Sequence, residues 1–226
     1  MKKALIYFFI ALFLALVVQP NLVTNLTKGN QRVPKNTTSG IPATNETMEF
    51  NSKESNQTIC LDAANNNNDA NGVDINLDIT QKLGTLLENA GYKVVYTRSE
   101  DVVVDNSERI QIANEENADY LISITTNSDT DNLQRGFSIM TQEKKKLNKL
   151  STNISEQLEA INYTTFQGID SDHYANFPIL NKADTPAILI ELGYTSNDID
   201  LTNLSNDSVQ DKIAEAITKG IVNTNK

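Results

Sequence analysis

The sequence predicts an α/β fold: a mostly parallel sheet with helices on both faces, an αβα sandwich. Short apolar runs of the kind that form buried strands alternate with longer segments of helical periodicity, and this alternation is typical of a parallel sheet. The clearest run, residues 187–191, has four apolar residues and ends in Glu191, followed closely by Gly193. With 39% hydrophobic residues in 226, the chain can fill one core of ordinary size.

The first 57 residues are set apart by composition. Lys2 and Lys3 precede an unbroken apolar run over residues 4–18, which is the charge order of an export signal. Residues 1–20 are therefore interpreted as a signal peptide or an uncleaved anchor in the cytoplasmic membrane. Either outcome places the rest of the chain outside the cytoplasm, membrane-bound if the segment stays and secreted if it is cut. Residues 21–57, rich in Asn, Thr, Ser and Lys, are predicted to be a disordered tether to a domain at 58–226.

Within that domain, strands and helices are expected in alternation. Five strands are predicted at residues 58–62, 93–97, 120–125, 136–141 and 187–191. Four helices are predicted at residues 73–90, 107–117, about 147–161 and 208–222. Gly91 follows the first helix at the position where a glycine commonly ends one. Residues between the third helix and the last strand are predicted to form a polar loop.

Charge and cysteine content exclude several classes of function. The formal net charge of −10 argues against nucleic acid or anionic lipid as the main partner, because both require a basic face. Cys60 is the only cysteine, so the chain has no internal disulfide.

Glu191 is the leading candidate for a functional residue. Ligands of open α/β sheets bind beyond the carboxyl ends of the strands, where this acid is expected to lie. The alternative is a structural role, in which the carboxylate accepts backbone N–H bonds from the turn that follows it.

Several motifs occur in an order that indicates a family. Asp62 ends the first strand, and Glu191 lies in the segment PAILIELGYTSN at residues 186–197. The motifs between them are VVYTRxxD at residues 94–101, Arg109 with IAN and AD at residues 112–119, and ISIxxN at residues 122–127. Together these motifs resemble the zinc-dependent N-acetylmuramoyl-L-alanine amidases over residues 58–222. The export segment on a domain of this size is similar to the small cell-wall amidases of spore-forming bacteria, a resemblance compatible with a role in sporulation or in vegetative growth.

The resemblance implies a chemistry and a set of positions. Such enzymes hold one Zn²⁺ with two histidines and a glutamate, and they cleave the amide between the lactyl group of muramic acid and L-alanine. A second glutamate, outside the zinc shell, moves protons, and Glu191 matches that position. The three ligand positions fall on Asn65, Gly72 and Thr125. Because glycine has no side-chain donor and the other two offer only neutral oxygens, we expect no zinc and no other cofactor.

Two further groups of side chains, one histidine and four aspartates, are possible replacements for the missing ligands. His173, the only histidine, lies in the predicted polar loop, either solvated or at the mouth of a cleft. Four aspartates near the first strand and helix suit a hard cation better than zinc, although acids at a helix start are also favoured by the helix dipole. The four are Asp62, Asp69, Asp74 and Asp78.

Three functional hypotheses follow. The first is a catalytically inactive member of the fold that binds peptidoglycan or a partner, with Arg98, Arg109, His173 or Glu191 in contact with the ligand. The two arginines are alternatively scaffold residues. The second is an active amidase with a rebuilt site that uses His173 and Glu191. The third is a regulator of a true amidase, so the expected partners are peptidoglycan or another cell-wall or membrane protein, with membrane contact through the N-terminal segment.

Overall fold

A six-stranded sheet runs through the computed structural model, which describes residues 55–65 and 74–225. Its strands are β1 (Thr58–Ala63), β2 (Lys93–Tyr96), β3 (Tyr120–Asn127), β4 (Phe137–Thr141), β5 (Phe166–Asp170) and β6 (Ala187–Tyr194). The helices are α1 (Ile75–Asn89), α2 (Asn106–Glu115), α3 (Lys145–Ile161), α4 (Pro178–Asn181), α5 (Asp198–Leu204) and α6 (Asp207–Thr224).

The strands lie in the order β2-β1-β3-β6-β4-β5. β2, β1, β3 and β6 pair in parallel, whereas β4 runs antiparallel to β6 and pairs in parallel with β5. The sheet is therefore mostly parallel, which confirms the predicted fold class. The reversed pair of strands at one end was not predicted.

Alternate residues of the central strands pack into two separate hydrophobic cores, one on each face of the sheet. Ile59 and Leu61 of β1 point into the larger core, which α1, α3 and α6 cover, whereas Cys60 points into the smaller core beneath α2 and α4. This alternation is the ordinary consequence of the strand's two-residue period. Helices thus cover both faces of the sheet, as the sequence predicted.

Helix α1 shows how local chemistry sets the ends of an element. Asp74 is its N-cap, and the carboxylate accepts the backbone N–H of Leu77 at 3.0 Å. The chain leaves the helix through Gly91, whose φ of +90° is easily adopted only by glycine. The predicted stop at Gly91 is confirmed. Asp74 therefore lies at the helix start, where the helix dipole favours an acid, as the sequence predicted.

The region between α3 and β6 differs most from the prediction. Residues 166–170 form β5, the edge strand, where a polar loop was predicted. A 3₁₀ turn (Tyr174–Asn176) and the short helix α4 follow before β6 begins. β6 extends to Tyr194, three residues beyond the predicted end, and α5 fills part of the stretch before the final helix.

The predicted export segment at residues 1–20 and most of the predicted tether at 21–57 lie outside the described residues. None of the helices in the described part of the chain combines the length and apolarity that a membrane span needs.

Candidate functional site

Glu191 lies near the end of β6, between two strands that run in opposite directions. In the register of the sheet its neighbours are Thr125 of β3 on one side and Ser138 of β4 on the other. The Ser138 hydroxyl donates to Glu191 Oε2 at 2.7 Å, and Asn127 Nδ2 donates to Oε1 at 3.4 Å. Both donors are neutral side chains, so the half-buried carboxylate is oriented without a counter-charge.

The turn after Glu191 is held by a different acid. Asp200 is fully buried, and its Oδ2 accepts the backbone N–H groups of Tyr194 at 3.0 Å and Gly136 at 2.8 Å. Its Oδ1 accepts the Thr164 hydroxyl at 2.5 Å. The alternative in which Glu191 caps this turn is therefore wrong, and Glu191 is left facing a cleft.

That cleft has a volume of about 490 Å³ and lies against β4, β5 and the end of β6. Glu191, Tyr194, Ser138 and Met140 line one side, and residues 167–173 line the other. Burial raises the pKa of Tyr194, and the charge of Glu191 raises it further. The cleft therefore combines three carboxylates, from Asp170, Asp172 and Glu191, with hydroxyl groups and an apolar thioether.

His173 shares this cleft with Glu191, although it is mostly exposed. Asp170 organises the loop around it: Oδ1 accepts the backbone N–H groups of Asp172 and His173, and Oδ2 lies 2.7 Å from His173 Nδ1. The hydrogen bond and the charge of Asp170 raise the pKa of His173, and the same hydrogen bond lowers the pKa of Asp170. The sequence places this residue either at a cleft mouth or in a solvated loop, and the structure shows both features.

Arg98 and Arg109 are buried in the scaffold and do not line the cleft. Arg98 pairs with Asp74 and donates through Nε to the carbonyl oxygen of Ala63 at 2.8 Å, which ties the end of β1 to the start of α1. Arg109 pairs with the fully buried Asp62 through Nε at 2.7 Å and through Nη2. Their placement favours the scaffold role proposed as the alternative, for both residues.

Two of the three positions where the resemblance places zinc ligands lie within the described residues. Thr125 pairs with Glu191 across the sheet, and Asn65 follows β1 at the same edge. Asn65 Nδ2 donates to the Val104 carbonyl oxygen at 2.6 Å, while its buried Oδ1 receives no hydrogen bond from the residues that the structure describes. Gly72 lies outside the described residues.

These side chains do not fit a catalytic zinc ion. Zinc sites in proteins are built from thiolate, imidazole and carboxylate groups, whereas Asn65 and Thr125 carry a neutral amide and a hydroxyl. Within residues 55–65 and 74–225, no three His, Cys, Asp or Glu side chains are grouped as ligands of a metal ion. The described side chains at these positions offer hydrogen-bonding groups, and Glu191 beside them offers a carboxylate.

The sequence did not identify Ser138, Asn127 or Asp170 as site residues. Ser138 contacts Glu191 because β4 pairs with β6 in the antiparallel direction. Asp170 lies in the cleft because residues 166–170 form the unpredicted strand β5 beside β4. Asn127 belongs to the ISIxxN motif at residues 122–127, and its position at the end of β3 was the one sequence feature that could have indicated a site residue.

Comparison with known proteins agrees with the fold and the motifs. The family model Amidase_3, described as N-acetylmuramoyl-L-alanine amidase, matches residues 58–223. The uncharacterized protein YqiI of Bacillus subtilis (strain 168) is 28% identical over 175 residues, covering 73% of this chain and 83% of YqiI. The N-acetylmuramoyl-L-alanine amidase LytC of the same organism is 26% identical, and the match covers 74% of this chain but 35% of LytC.

Solved structures give the same result. The N-acetylmuramoyl-L-alanine amidase AmiC2 of Nostoc punctiforme is 26% identical with a TM-score of 0.68, covering 75% of this chain and 97% of AmiC2. The CwlD amidase of Clostridioides difficile, solved in complex with the GerS lipoprotein, is 28% identical with a TM-score of 0.63, covering 75% of this chain and 98% of CwlD. The chain belongs to the N-acetylmuramoyl-L-alanine amidase family.

Proposed function

We propose that this chain is an extracytoplasmic, peptidoglycan-directed protein that uses the amidase fold to bind cell wall without hydrolysing its amide bonds. The family supports a cell-wall substrate, because the relatives matched by sequence and by fold include N-acetylmuramoyl-L-alanine amidases. The segment at residues 4–18 supports export and a membrane anchor.

One observation carries the proposal of inactivity. The side chains at the ligand positions next to Glu191 are neutral, and the Asn65 amide group is already bonded to Val104. Attack of water on an unstrained amide is strongly accelerated by a group that lowers the pKa of that water, which zinc supplies in such enzymes. Glu191 alone can accept a proton or a hydrogen bond, but it does not replace that activation. The residues that remain are suited to holding a ligand.

The first experiment measures zinc and hydrolysis together. Zinc content of the purified full chain is determined by atomic spectroscopy, and release of dye from labelled cell wall is followed with the same preparation. We expect less than stoichiometric zinc and no release of dye. Stoichiometric zinc, or clear release of dye, would contradict the proposal.

A matched variant makes the negative result informative. Asn65→His, Gly72→Glu and Thr125→His together restore the ligand types that the family resemblance implies. If the fold is intact and only the ligands are missing, this variant gains zinc while the unmodified chain does not. Circular dichroism checks that the variant is folded. If the folded variant gains no zinc, the site differs from a zinc site in more than these three side chains.

Two other functions have specific support. The shared cleft of His173 and Glu191 is the feature that a rebuilt active site would need, and the dye-release assay tests it directly. The CwlD amidase was solved with the GerS lipoprotein, which favours a protein partner as an alternative ligand for this chain. Retention on insoluble cell-wall sacculi separates the proposals, because a pure regulator stays in the supernatant without its partner.

A further inference from the structure

A serine hydroxyl and a carboxylate are hydrogen-bonded to each other in the cleft. Ser138 Oγ donates to Glu191 Oε2 at 2.7 Å, and both half-buried side chains line the cleft of about 490 Å³. The two residues are 53 positions apart in sequence and face each other in the antiparallel pairing of β4 with β6, so the sheet holds them side by side. A hydroxyl within hydrogen-bond reach of a base is the arrangement that activates a serine nucleophile.

Other hydroxyl–carboxylate pairs among the described residues show what is particular to this one. Asp62 and Asp200 also accept hydroxyl groups, but both carboxylates are fully buried, so no reactant can reach them. Ser107 donates to Asp105, the cap of α2, at an exposed position outside the cleft. The pair in the cleft combines access for a small molecule with partial exclusion of water.

Glu191 has the features of a general base for this hydroxyl. Its Oε1 accepts Asn127 Nδ2 at 3.4 Å, and the Asn127 amide is oriented because its Oδ1 accepts the Ser128 backbone N–H at 2.8 Å. In the part of the chain that the structure describes, no lysine, arginine or histidine forms an ion pair with Glu191. A cation would favour the ionised carboxylate and weaken it as a base, and here the base is free of one.

A hydroxyl donor is available for the negative charge that develops during acyl transfer. Tyr194 lines the same cleft as Ser138. Burial, and after it the charge of Glu191, raise the pKa of the Tyr194 phenol, so its hydroxyl stays protonated at neutral pH. A protonated hydroxyl in a partly dry cleft is suited to donating a hydrogen bond to an oxyanion.

We infer that Ser138 is a nucleophile toward small carboxylic esters and that Glu191 is its general base. Ser138 Oγ bonds to the carbonyl carbon of the ester while its proton passes to Glu191 Oε2. The bond from that carbon to the alcohol oxygen breaks, and the alcohol leaves with this proton. Water then attacks the acyl-serine and gives a proton to Glu191, and the carboxylic acid is released as Ser138 Oγ takes the proton back.

An ester suits this pair better than an amide. A carboxylate is a weaker base than an imidazole, so the acyl group must carry an oxygen leaving group that departs easily. The cleft volume of about 490 Å³ is of the size that holds a small molecule. This activity is separate from hydrolysis of peptidoglycan amides and does not depend on the proposed function.

Hydrolysis of para-nitrophenyl acetate by the purified full chain, in the presence of a chelator that removes adventitious zinc, tests this inference. We expect release of para-nitrophenol above the rate in buffer. Ser138→Ala and Glu191→Gln are each expected to lower the rate about a hundredfold, the scale of lost nucleophilic or general-base catalysis. A fluorophosphonate, which loses fluoride when its phosphorus bonds to a serine oxygen, is expected to label Ser138, as located by mass spectrometry.

A matched control removes a paired hydroxyl outside the cleft. Ser107→Ala deletes the serine that donates to Asp105, and we expect its rate to equal that of the unmodified chain. Circular dichroism checks that all variants are folded. Three results overturn the inference: no release above buffer, an equal rate in Ser138→Ala, or activity that His173→Gln loses and Ser138→Ala keeps, which assigns it to the imidazole.

The outcome is distinguishable from failure of the proposed function. Retention on sacculi without ester hydrolysis removes the nucleophile and keeps the cell-wall role. Ester hydrolysis that depends on Ser138, without retention on sacculi, keeps the nucleophile and removes the cell-wall role.

Discussion

The two sides of β6 use charged residues in opposite ways. On the β1 and β3 side, Arg98 and Arg109 are buried and paired with Asp74 and Asp62, and Ser123 donates to Asp62 at 2.6 Å. On the β4 and β5 side, the cleft is lined by charged residues that are exposed or half-buried: Asp170, Asp172, His173 and Glu191. Charge on the first side therefore stabilises the fold, whereas the charge that lines the cleft on the second side is available to a ligand.

The largest effect is expected from breaking a buried pair on the scaffold side. Arg109→Ala leaves Asp62 buried without its cation, and we expect the free energy of unfolding to fall by about 3 to 5 kcal/mol. Urea denaturation provides the measurement. Lys93→Ala removes an exposed pair with Glu116 and is expected to cost less than about 1 kcal/mol. Similar losses for the two variants would show that burial does not distinguish the two pairs.

A smaller difference is expected between the two acids that flank the turn after β6. Asp200→Ala leaves the N–H groups of Gly136 and Tyr194 without their acceptor, so we expect a loss of about 3 kcal/mol. Glu191→Ala removes an acceptor at the cleft, where its donors can reach water, and is expected to cost about 1 kcal/mol. Thermal and urea unfolding of both variants test this order. A loss for Glu191→Ala as large as that for Asp200→Ala would make Glu191 a structural residue.

The smallest effect is expected from pH at the exposed pair in the cleft. Asp170 raises the pKa of His173 above the ordinary value of 6.5. The stabilisation from this pair is therefore fully present below pH 6.5 on the histidine side, and it is lost as pH rises through the raised pKa. Because Asp170 has a lowered pKa, its own contribution is lost only as pH falls through that lower value.

Proton NMR can follow this titration without assignment, since His173 is the only histidine. We expect the imidazole signal to titrate above 6.5 in the unmodified chain and to move back toward 6.5 in Asp170→Asn. A titration that Asp170→Asn leaves unchanged would remove this pair from the description of the cleft.

Much of the fold could be predicted because buried segments appear in the sequence as recurring apolar runs. The strands at β1, β3 and β6 are apolar runs that lie in the middle of the sheet, and their pattern is independent of their partners. β5 was missed because an edge strand has one partner, and its alternate residues face solvent. Its sequence, Phe166–Asp170, includes a glycine and two polar residues, which individually favour a loop.

The candidate site was predictable only in part, and the reason is topological. Glu191 could be identified because a carboxylate at the end of an apolar run marks the edge of a parallel sheet. The roles of Ser138 and Asp200 depend on contacts across 53 and 64 positions of sequence. Such contacts follow from the direction of β4 and from the path of the chain after β6, and no local pattern specifies either.

β6 lies at the boundary between the parallel and the antiparallel part of the sheet, so its two neighbours come from independent segments of the chain. Substitutions in β3 alter one flank of Glu191, and substitutions in β4 alter the other, with little shared backbone. The two residues that flank Glu191 in the sheet, Thr125 and Ser138, can therefore be substituted separately.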